Sequence, residues 1–271
     1  MSARVVTGLY VPGDRPDRFD KAVATGADLV ILDLEDAVAP GAKGVALDAV
    51  VSWLRARVAP AGAHDGPRPL VQVRVNPGAD DELAALRATG AAIELRVPKV
   101  DGVAELDRIA ALTGGRPITA LIESARGVEN AAAIAAHPAV TRLALGESDL
   151  ASELGSRDDA VIDYARVRLL FAARAAGLPA PMLSAYPDIR DLDGLRADTE
   201  RGRRLGWVGR TAVHPSQLAV IEAVFAPTAD ELAWAAAVVE AVERGGVATL
   251  DSGEMVDPAM LGRARSILGR P

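Results

Sequence analysis

Eight short runs of consecutive apolar residues, each followed by a stretch with helical patterning, constrain this chain more than any other feature of its sequence. The runs are Val5–Val11, Leu29–Leu34, Leu70–Val75, Ile93–Val97, Ile118–Ile122, Arg142–Leu145, Pro181–Ala185 and Val208–Val213. They are apolar on consecutive rather than alternate residues, as parallel strands covered on both faces require. Helical patterns fall between them at Asp17–Thr25, Val45–Val58, Asp80–Ala88, Val103–Leu112, Val128–Ala136, Asp158–Ala176 and Asp191–Leu205. Gly26, Gly90, Gly114 and Gly177 follow four of these stretches, where glycine supplies the left-handed helix stop. No Gly-x-Gly-x-x-Gly follows the first run, which removes the main sequence signal of a dinucleotide fold. Eight strand–helix units in 271 residues predict a single α/β domain, a (β/α)8 TIM barrel, for which about 250 residues is usual. The barrel is expected over residues 1–226. Phe225-Ala226-Pro227-Thr228 breaks the pattern there. Two more helices, about Asp230–Arg244 and Pro258–Leu268, flank a Gly245–Gly253 turn region and make 227–271 a C-terminal helical extension. It is too short to be an independent domain.

Composition removes several functions. Aromatic residues make up 3%, too few for stacking on single-stranded nucleic acid, and a net charge of −7 lacks the basic footprint of a phosphate binder. Without cysteine there is neither a disulfide framework nor thiol catalysis. No apolar run approaches the roughly 20 residues that span a membrane, and no basic-then-apolar leader precedes the first strand. The expectation is a soluble cytoplasmic protein.

A barrel collects its reactive groups at the carboxyl ends of its strands. Those positions here read Leu32-Asp33-Leu34-Glu35-Asp36, Val73-Arg74-Val75-Asn76, Val97-Pro98-Lys99, Ile122-Glu123-Ser124, Leu145-Gly146-Glu147-Ser148-Asp149 and Val213-His214-Pro215. Up to six carboxylates would face one arginine, one lysine and one histidine. Uncompensated, they would raise one another's pKa values and weaken the fold. A hard divalent cation resolves the repulsion, and magnesium asks for one or two carboxylates plus water and substrate oxygens. Glu123 and Asp149, from neighbouring strands, suit direct ligation, with Glu35 and Asp36 holding coordinated waters. Each residue also has a plainer reading. Asp36 and Asp149 suit helix caps, Arg74 an internal salt bridge to Glu123 or Asp33, Lys99 the loop surface, and His214 the anchoring of a strand end. His64 and His137 read as loop and helix-end residues.

These motifs resemble the citrate lyase beta subunit-like family, within the HpcH/HpaI aldolase/citrate lyase superfamily that includes malyl-CoA lyase. The resemblance rests on Leu9-Tyr10-Val11-Pro12-Gly13-Asp14-Arg15-Pro16, Asp33-Leu34-Glu35-Asp36-Ala37-Val38-Ala39-Pro40, Val73-Arg74-Val75-Asn76-Pro77, Val97-Pro98-Lys99-Val100, Ile122-Glu123-Ser124-Ala125-Arg126-Gly127, Leu145-Gly146-Glu147-Ser148-Asp149-Leu150, Val213-His214-Pro215-Ser216-Gln217 and Met255-Val256-Asp257-Pro258. It implies Mg2+, with Mn2+ as a substitute, on Glu123 and Asp149, and Arg74 on a carboxylate or enolate oxygen. It implies substrate contacts from Pro12, Lys99, Gly146, Glu147 and Ser148, and acid–base roles for Glu35 and Asp36. The Met255–Pro258 stretch resembles a lid motif, which makes Asp257 an acid or base supplied to a neighbouring subunit in a homotrimer or hexamer. The partners implied are a CoA thioester and a keto acid. Departures from the family pattern fall at Ala46-Leu47, at Gly209-Arg210 and at Ser184-Ala185-Tyr186-Pro187-Asp188.

The reaction expected is carbon–carbon cleavage or condensation of a short 3-hydroxyacyl-CoA, for which a metal and an arginine at the developing oxyanion are the groups needed. Thioester hydrolysis in the same pocket, and a catalytically silent lyase-like binding subunit, remain open alternatives. A Schiff-base aldolase using Lys99 ranks below these, because nearby carboxylates would raise the pKa that such chemistry needs lowered.

Overall fold

The computed structural model describes residues 5–58, 69–250 and 252–269, so His64 lies outside the described residues. The chain divides into two compact units, Met1–Phe225 and Ala226–Pro271. Among the described residues, no helix is long and apolar enough to cross a membrane.

The first unit is an α/β fold on seven strands: β1 (Thr7–Pro12), β2 (Leu29–Asp33), β3 (Leu70–Arg74), β4 (Glu94–Val97), β5 (Ile118–Ile122), β6 (Val140–Leu145) and β7 (Arg210–Ala212). They form one sheet in the order β6-β5-β4-β3-β2-β1-β7, and every pairing is parallel. Helices α1 (Phe19–Val23), α2 (Lys43–Val58), α3 (Asp80–Arg87), α4 (Val103–Thr113), α5 (Ala125–Glu129) and α6 (Ala131–Ala135) lie between the first six strands. After β6 come α7 (Glu147–Leu154), α8 (Asp159–Ala175) and α9 (Leu192–Arg204), and α10 (Leu218–Phe225) follows β7.

The sequence predicts eight strands, and one of them fails to form. Pro181–Ala185 makes only two isolated parallel bridges, Ala144 with Met182 and Leu183 with Arg210. The segment therefore touches both β6 and β7 without becoming a strand. Leu183 is nonetheless tied to the β7 side, its N–H donating to the Gly209 carbonyl at 2.8 Å and its own carbonyl accepting from Thr211 N at 3.0 Å, so the pairing is present but too short to count as a strand. A second difference is the Val128–Ala136 helix, which breaks at Asn130 (φ −89°, ψ 2°) into α5 and α6. The helix α7 over Glu147–Leu154 falls where only strand-end residues are expected.

Strand alternation sorts the side chains. Val30 and Leu32 of β2, Val71 and Val73 of β3, Leu95 and Val97 of β4, and Ile118, Ala120 and Ile122 of β5 all join the main core shared with the helices. Each such side chain, fully buried, contributes about 1.5–3 kcal/mol. Leu29 and Ile31 point the other way, into a smaller inner cluster with Val5 and Met182. With a period of two, Asp33, Arg74 and Arg96 fall on that same inner face.

The second unit contains α11 (Ala229–Gly245), the antiparallel strands β8 (Ala248–Thr249) and β9 (Met255–Val256), and α12 (Leu261–Ile267). The short hairpin occupies what the sequence suggests is only a turn region. A capping box opens α11: Thr228 Oγ1 accepts from Glu231 N, and Glu231 Oε2 accepts from Thr228 N. Ala235, Val238, Val239, Val256 and Ala264 form this unit's small core.

Gly209, just before β7, lies so close to β1 that a Cβ there would fall on the Val6 carbonyl and 2.8 Å from Val6 Cα. Arg210 N donates to that same carbonyl. Because the obstacle is backbone, Gly209→Ala should cost at least ~1–3 kcal/mol of stability. A thermal midpoint equal to that of the wild type would show that β7 is not held tightly against β1.

Candidate active site

The carboxyl ends of the strands surround a cavity of about 370 Å3. Asp36, Arg74, Glu123, Gly146, Glu147, Ser148 and Asp149 line it, as do Tyr10, Asp33, Arg96, Ser184 and Thr211. Of the sequence-predicted site residues in this unit, Pro12, Glu35 and Lys99 stand outside that lining. Pro12 ends β1 beside Asp33.

Arg74 organises one wall. Its Nε and Nη2 donate to Asp33 Oδ1 and Oδ2 at 2.7 and 2.6 Å, and its Nη1 donates to Asp36 Oδ2 at 3.0 Å. Nη1 also lies 3.0 Å from Glu35 Oε2, an ion pair without hydrogen-bond geometry, which leaves that oxygen buried and without a hydrogen bond. Burial works against the Arg74 charge, but the Asp33 hydrogen bond and the surrounding anions outweigh it and raise the pKa above the ordinary arginine value. Of the two salt bridges expected for Arg74, the one to Asp33 forms. Asp33 itself is 1% exposed and accepts from the backbone N–H groups of Glu35 and Ala37, which fixes the loop carrying Glu35 and Asp36. Lys43 Nζ braces the same loop by donating to the Leu34 and Glu35 carbonyls at 2.7 and 2.5 Å.

The opposite wall holds Glu123 and Asp149. Glu123 is buried, and its Oε1 accepts from the Lys99 backbone N–H at 2.8 Å. Lys99 adopts φ +55°, alone among the non-glycine described residues in the left-handed region. That strain, about 1 kcal/mol or more, aims the N–H at Glu123. The Lys99 ammonium meanwhile is 56% exposed and 3.8 Å from Glu35 Oε1, so it is the main chain of Lys99 that reaches Glu123. Gly146 makes room for Glu123: a Cβ there would lie 2.6 Å from the Glu123 Cβ and collide with Oε2. Asp149 stands exposed in the first turn of α7, where it caps nothing and makes no hydrogen bond or ion pair among the described residues. Burial, followed by repulsion from Asp149, pushes the Glu123 carboxyl up to about 7. Burial does the same for Glu35, also to about 7, with Arg74 opposing and Asp36 and Glu123 adding to the rise.

The donor set fits a hard divalent cation. Only oxygen ligands are on offer, and Asp149 repels the charged form of Glu123. Among the described residues no three His, Cys, Asp or Glu side chains converge as a metal cage. A pair of carboxylates completed by water and substrate oxygens is what magnesium ordinarily takes from a protein.

Other predicted residues have structural work. Glu147 is held by Arg166, with Nε and Nη2 donating at 2.8 and 2.9 Å, and Arg166 also binds Asp198, which pairs with Arg210. This chain of charges crosses from the end of β6 to β7, alongside the stretch where the expected strand is missing. His214 accepts from Ser216 N and begins a 3-10 turn, the strand-end anchor that its sequence context suggests. Asp257, in the second unit, accepts from Ala259 N through Oδ1. Sequence reasoning gave no site role to Tyr10, Asp33 or Arg96. Counting inward by twos from the strand ends would have placed the last two on the inner face.

Glu35 and Glu123 have pKa values near 7 in the fold against 4.5 ordinarily, so between those values the folded chain binds more protons than the unfolded one. Metal-free stability should therefore fall as pH rises from about 4.5 through about 7. Glu123→Gln should flatten that decline and lower Mg2+ affinity; thermal melts in chelator and Mg2+ titration would read both. A metal-free midpoint that climbs over the interval would contradict the burial described here.

Residues 6–215 match the sequence profile described as HpcH/HpaI aldolase/citrate lyase. A (3S)-malyl-CoA thioesterase from Cereibacter sphaeroides is 40% identical over 97% of this chain and 93% of its own length. A citrate lyase subunit beta-like protein from Mycobacterium tuberculosis is 36% identical, over 97% and 94%. The crystal structure of the protein CitE from Mycobacterium tuberculosis, in complex with magnesium, acetoacetate and coenzyme A, superposes with a TM-score of 0.80 at 32% identity, covering 99% of this chain and 98% of that one.

Proposed function

Since this chain belongs to the HpcH/HpaI aldolase/citrate lyase family, we propose that it is a magnesium-dependent carbon–carbon lyase acting on a short 3-hydroxyacyl-CoA thioester. In one direction it yields an acyl-CoA and a keto acid; in the other it condenses them. The observation that carries the reading is the pair Glu123 and Asp149, one buried and one bare, facing Arg74 across a single cavity. The related CitE structure holding magnesium, acetoacetate and coenzyme A supports it.

Glu123 and Asp149 would hold the Mg2+ (or Mn2+), which supplies Lewis-acid polarisation of the oxygens of the keto or hydroxy acid half. The residues do the rest. Glu35, with a pKa near 7 and a buried oxygen free of hydrogen bonds, is suited to take the proton of the 3-hydroxyl group through Asp36, which lines the cavity. As the α–β carbon bond breaks, its electron pair passes to the thioester carbonyl and leaves an enolate. Arg74 meets that oxyanion. Most of its N–H groups are already engaged, so the incoming oxygen displaces the most exposed partner, Asp36, and leaves the Asp33 pair intact. Asp257 of a neighbouring subunit in a trimer or hexamer returns a proton to carbon, with residues 227–271 acting as the lid. Pro12, Lys99, Gly146 and Ser148 border the substrate path. The bridged segment at Met182 and Leu183 stands as the eighth stave of a closed barrel, and the protein works in the cytoplasm.

Hydrolysis of the thioester is the second reading, favoured by the name of the 40% identical relative. Mass spectrometry after incubating acetyl-CoA or propionyl-CoA with glyoxylate, pyruvate, oxaloacetate or acetoacetate separates the two. A heavier thioester formed with Mg2+ and absent in EDTA is expected; free CoA with a hydroxy acid would favour hydrolysis, and no Mg2+-dependent product would sink both. Arg74→Lys, which loses the fork that grips Asp33, should lower kcat by at least about 100-fold.

A further inference from the structure

The cavity contains a second arginine that this chemistry does not use. Arg96 of β4 stands opposite Arg74 of β3 in the sheet register. Both guanidinium groups lie over the Tyr10 ring, with Cζ at 5.4 and 5.1 Å from its centroid. Their surroundings differ sharply. Arg74 is flanked by Asp33, Glu35 and Asp36. Arg96 is only 4% exposed, yet no carboxylate of the described residues lies within ion-pair distance of it.

An arginine offers five N–H donors. Among the described residues Arg96 makes one hydrogen bond, from Nη1 to Gln72 Oε1 at a long 3.4 Å. Gln72 is not free to improve it, because its amide nitrogen already donates to Glu94 Oε2 and Thr119 Oγ1, both at 2.8 Å. The Nε of Arg96 is buried and unpartnered. Glu94, the nearest acid on the same strand, turns instead to Gln72 and, at 3.9 Å, to Arg142. Burying a guanidinium without a counter-charge is costly. A chain that keeps one on the wall of its cavity is provided for an anion that arrives from outside.

We propose that Arg96 is a specificity-determining residue that receives a substrate carboxylate additional to the 2-oxo or 2-hydroxy acid group at the Glu123–Asp149 wall. The substrates it selects are those whose reacting half is a dicarboxylate. The guanidinium fork matches two carboxylate oxygens. Strand β4 lies between β3, which carries Arg74, and β5, which leads into Glu123, so the extra carboxylate sits within the same cavity as the reacting atoms. This inference rests on the lyase reading for the placement of the first acid group.

Calorimetric titration of the full chain in Mg2+ with (S)-malate and (S)-lactate tests it, because the two acids differ by one carboxylate. Malate should bind at least about 10-fold more tightly, the scale of a charge-assisted hydrogen-bonded pair. Arg96→Met should bring malate to the affinity of lactate while leaving lactate within about 2-fold, and Arg96→Lys should keep part of the preference. Should Arg96→Met not fold, Arg96→Gln reads the same ratio. Equal affinities in the wild type, equal losses for both acids in the variants, or no binding of either acid would overturn the assignment. An Arg96-dependent malate preference in a protein that forms no Mg2+-dependent product from any CoA thioester would leave the receptor standing and remove the lyase reading instead.

Discussion

Asp33 and Arg74 meet in register on adjacent strands, joined by two hydrogen bonds at 2.6 and 2.7 Å where water hardly reaches the carboxylate. Removing one partner from a buried pair of this kind strands the other charge, at a cost of about 3–5 kcal/mol. The pair also sets local geometry. Asp33 uses its remaining capacity on the N–H groups of Glu35 and Ala37, and Arg74 extends toward Glu35 and Asp36. One interaction between two strand ends thereby positions three carboxylates and the cation that opposes them.

Across the cavity the logic is reversed. Glu123 receives one backbone N–H, delivered by a residue in a strained conformation, and it packs flush against a glycine. Asp149 receives nothing. The first wall carries a cation among its carboxylates, and the second has only a main-chain donor for its own. An ion and the oxygens of a small acid would complete such a wall.

Much of this was readable in advance. The strand-end positions of Arg74, Glu123, Gly146 and Asp149 follow from apolar runs that stop at polar residues, and the family motifs fall on the same positions. What escaped notice lies deeper in the strands. Gln72, Arg96 and Thr119 are embedded in runs made mostly of Val, Leu and Ile, because the outward face of each strand is apolar and dominates the pattern. The Pro181–Ala185 segment misled for another reason. Its apolar content is that of a strand, but apolar content does not set the length of a ladder, and here a single residue pairs on each side. The sequence suggests a role for the Lys99 side chain, whereas its main chain makes the contact with Glu123; no residue type announces a left-handed backbone at a lysine.

The two isolated bridges beside Met182 and Leu183 have a mechanical consequence. Neighbouring strands elsewhere share ladders of three to five paired residues, which resist shear because every bond must shift together. Between β6 and β7 there is one bridge on each side, with three backbone hydrogen bonds toward residues 208–211, and a relay of side-chain charges whose long arms tolerate small displacements. Glu123 and Asp149 stand on one side of that joint, Thr211 and Val213 on the other. The wall of the cavity is therefore least continuously laddered between those two sides, and there the fit of an acid depends on side-chain charges as well as on the sheet.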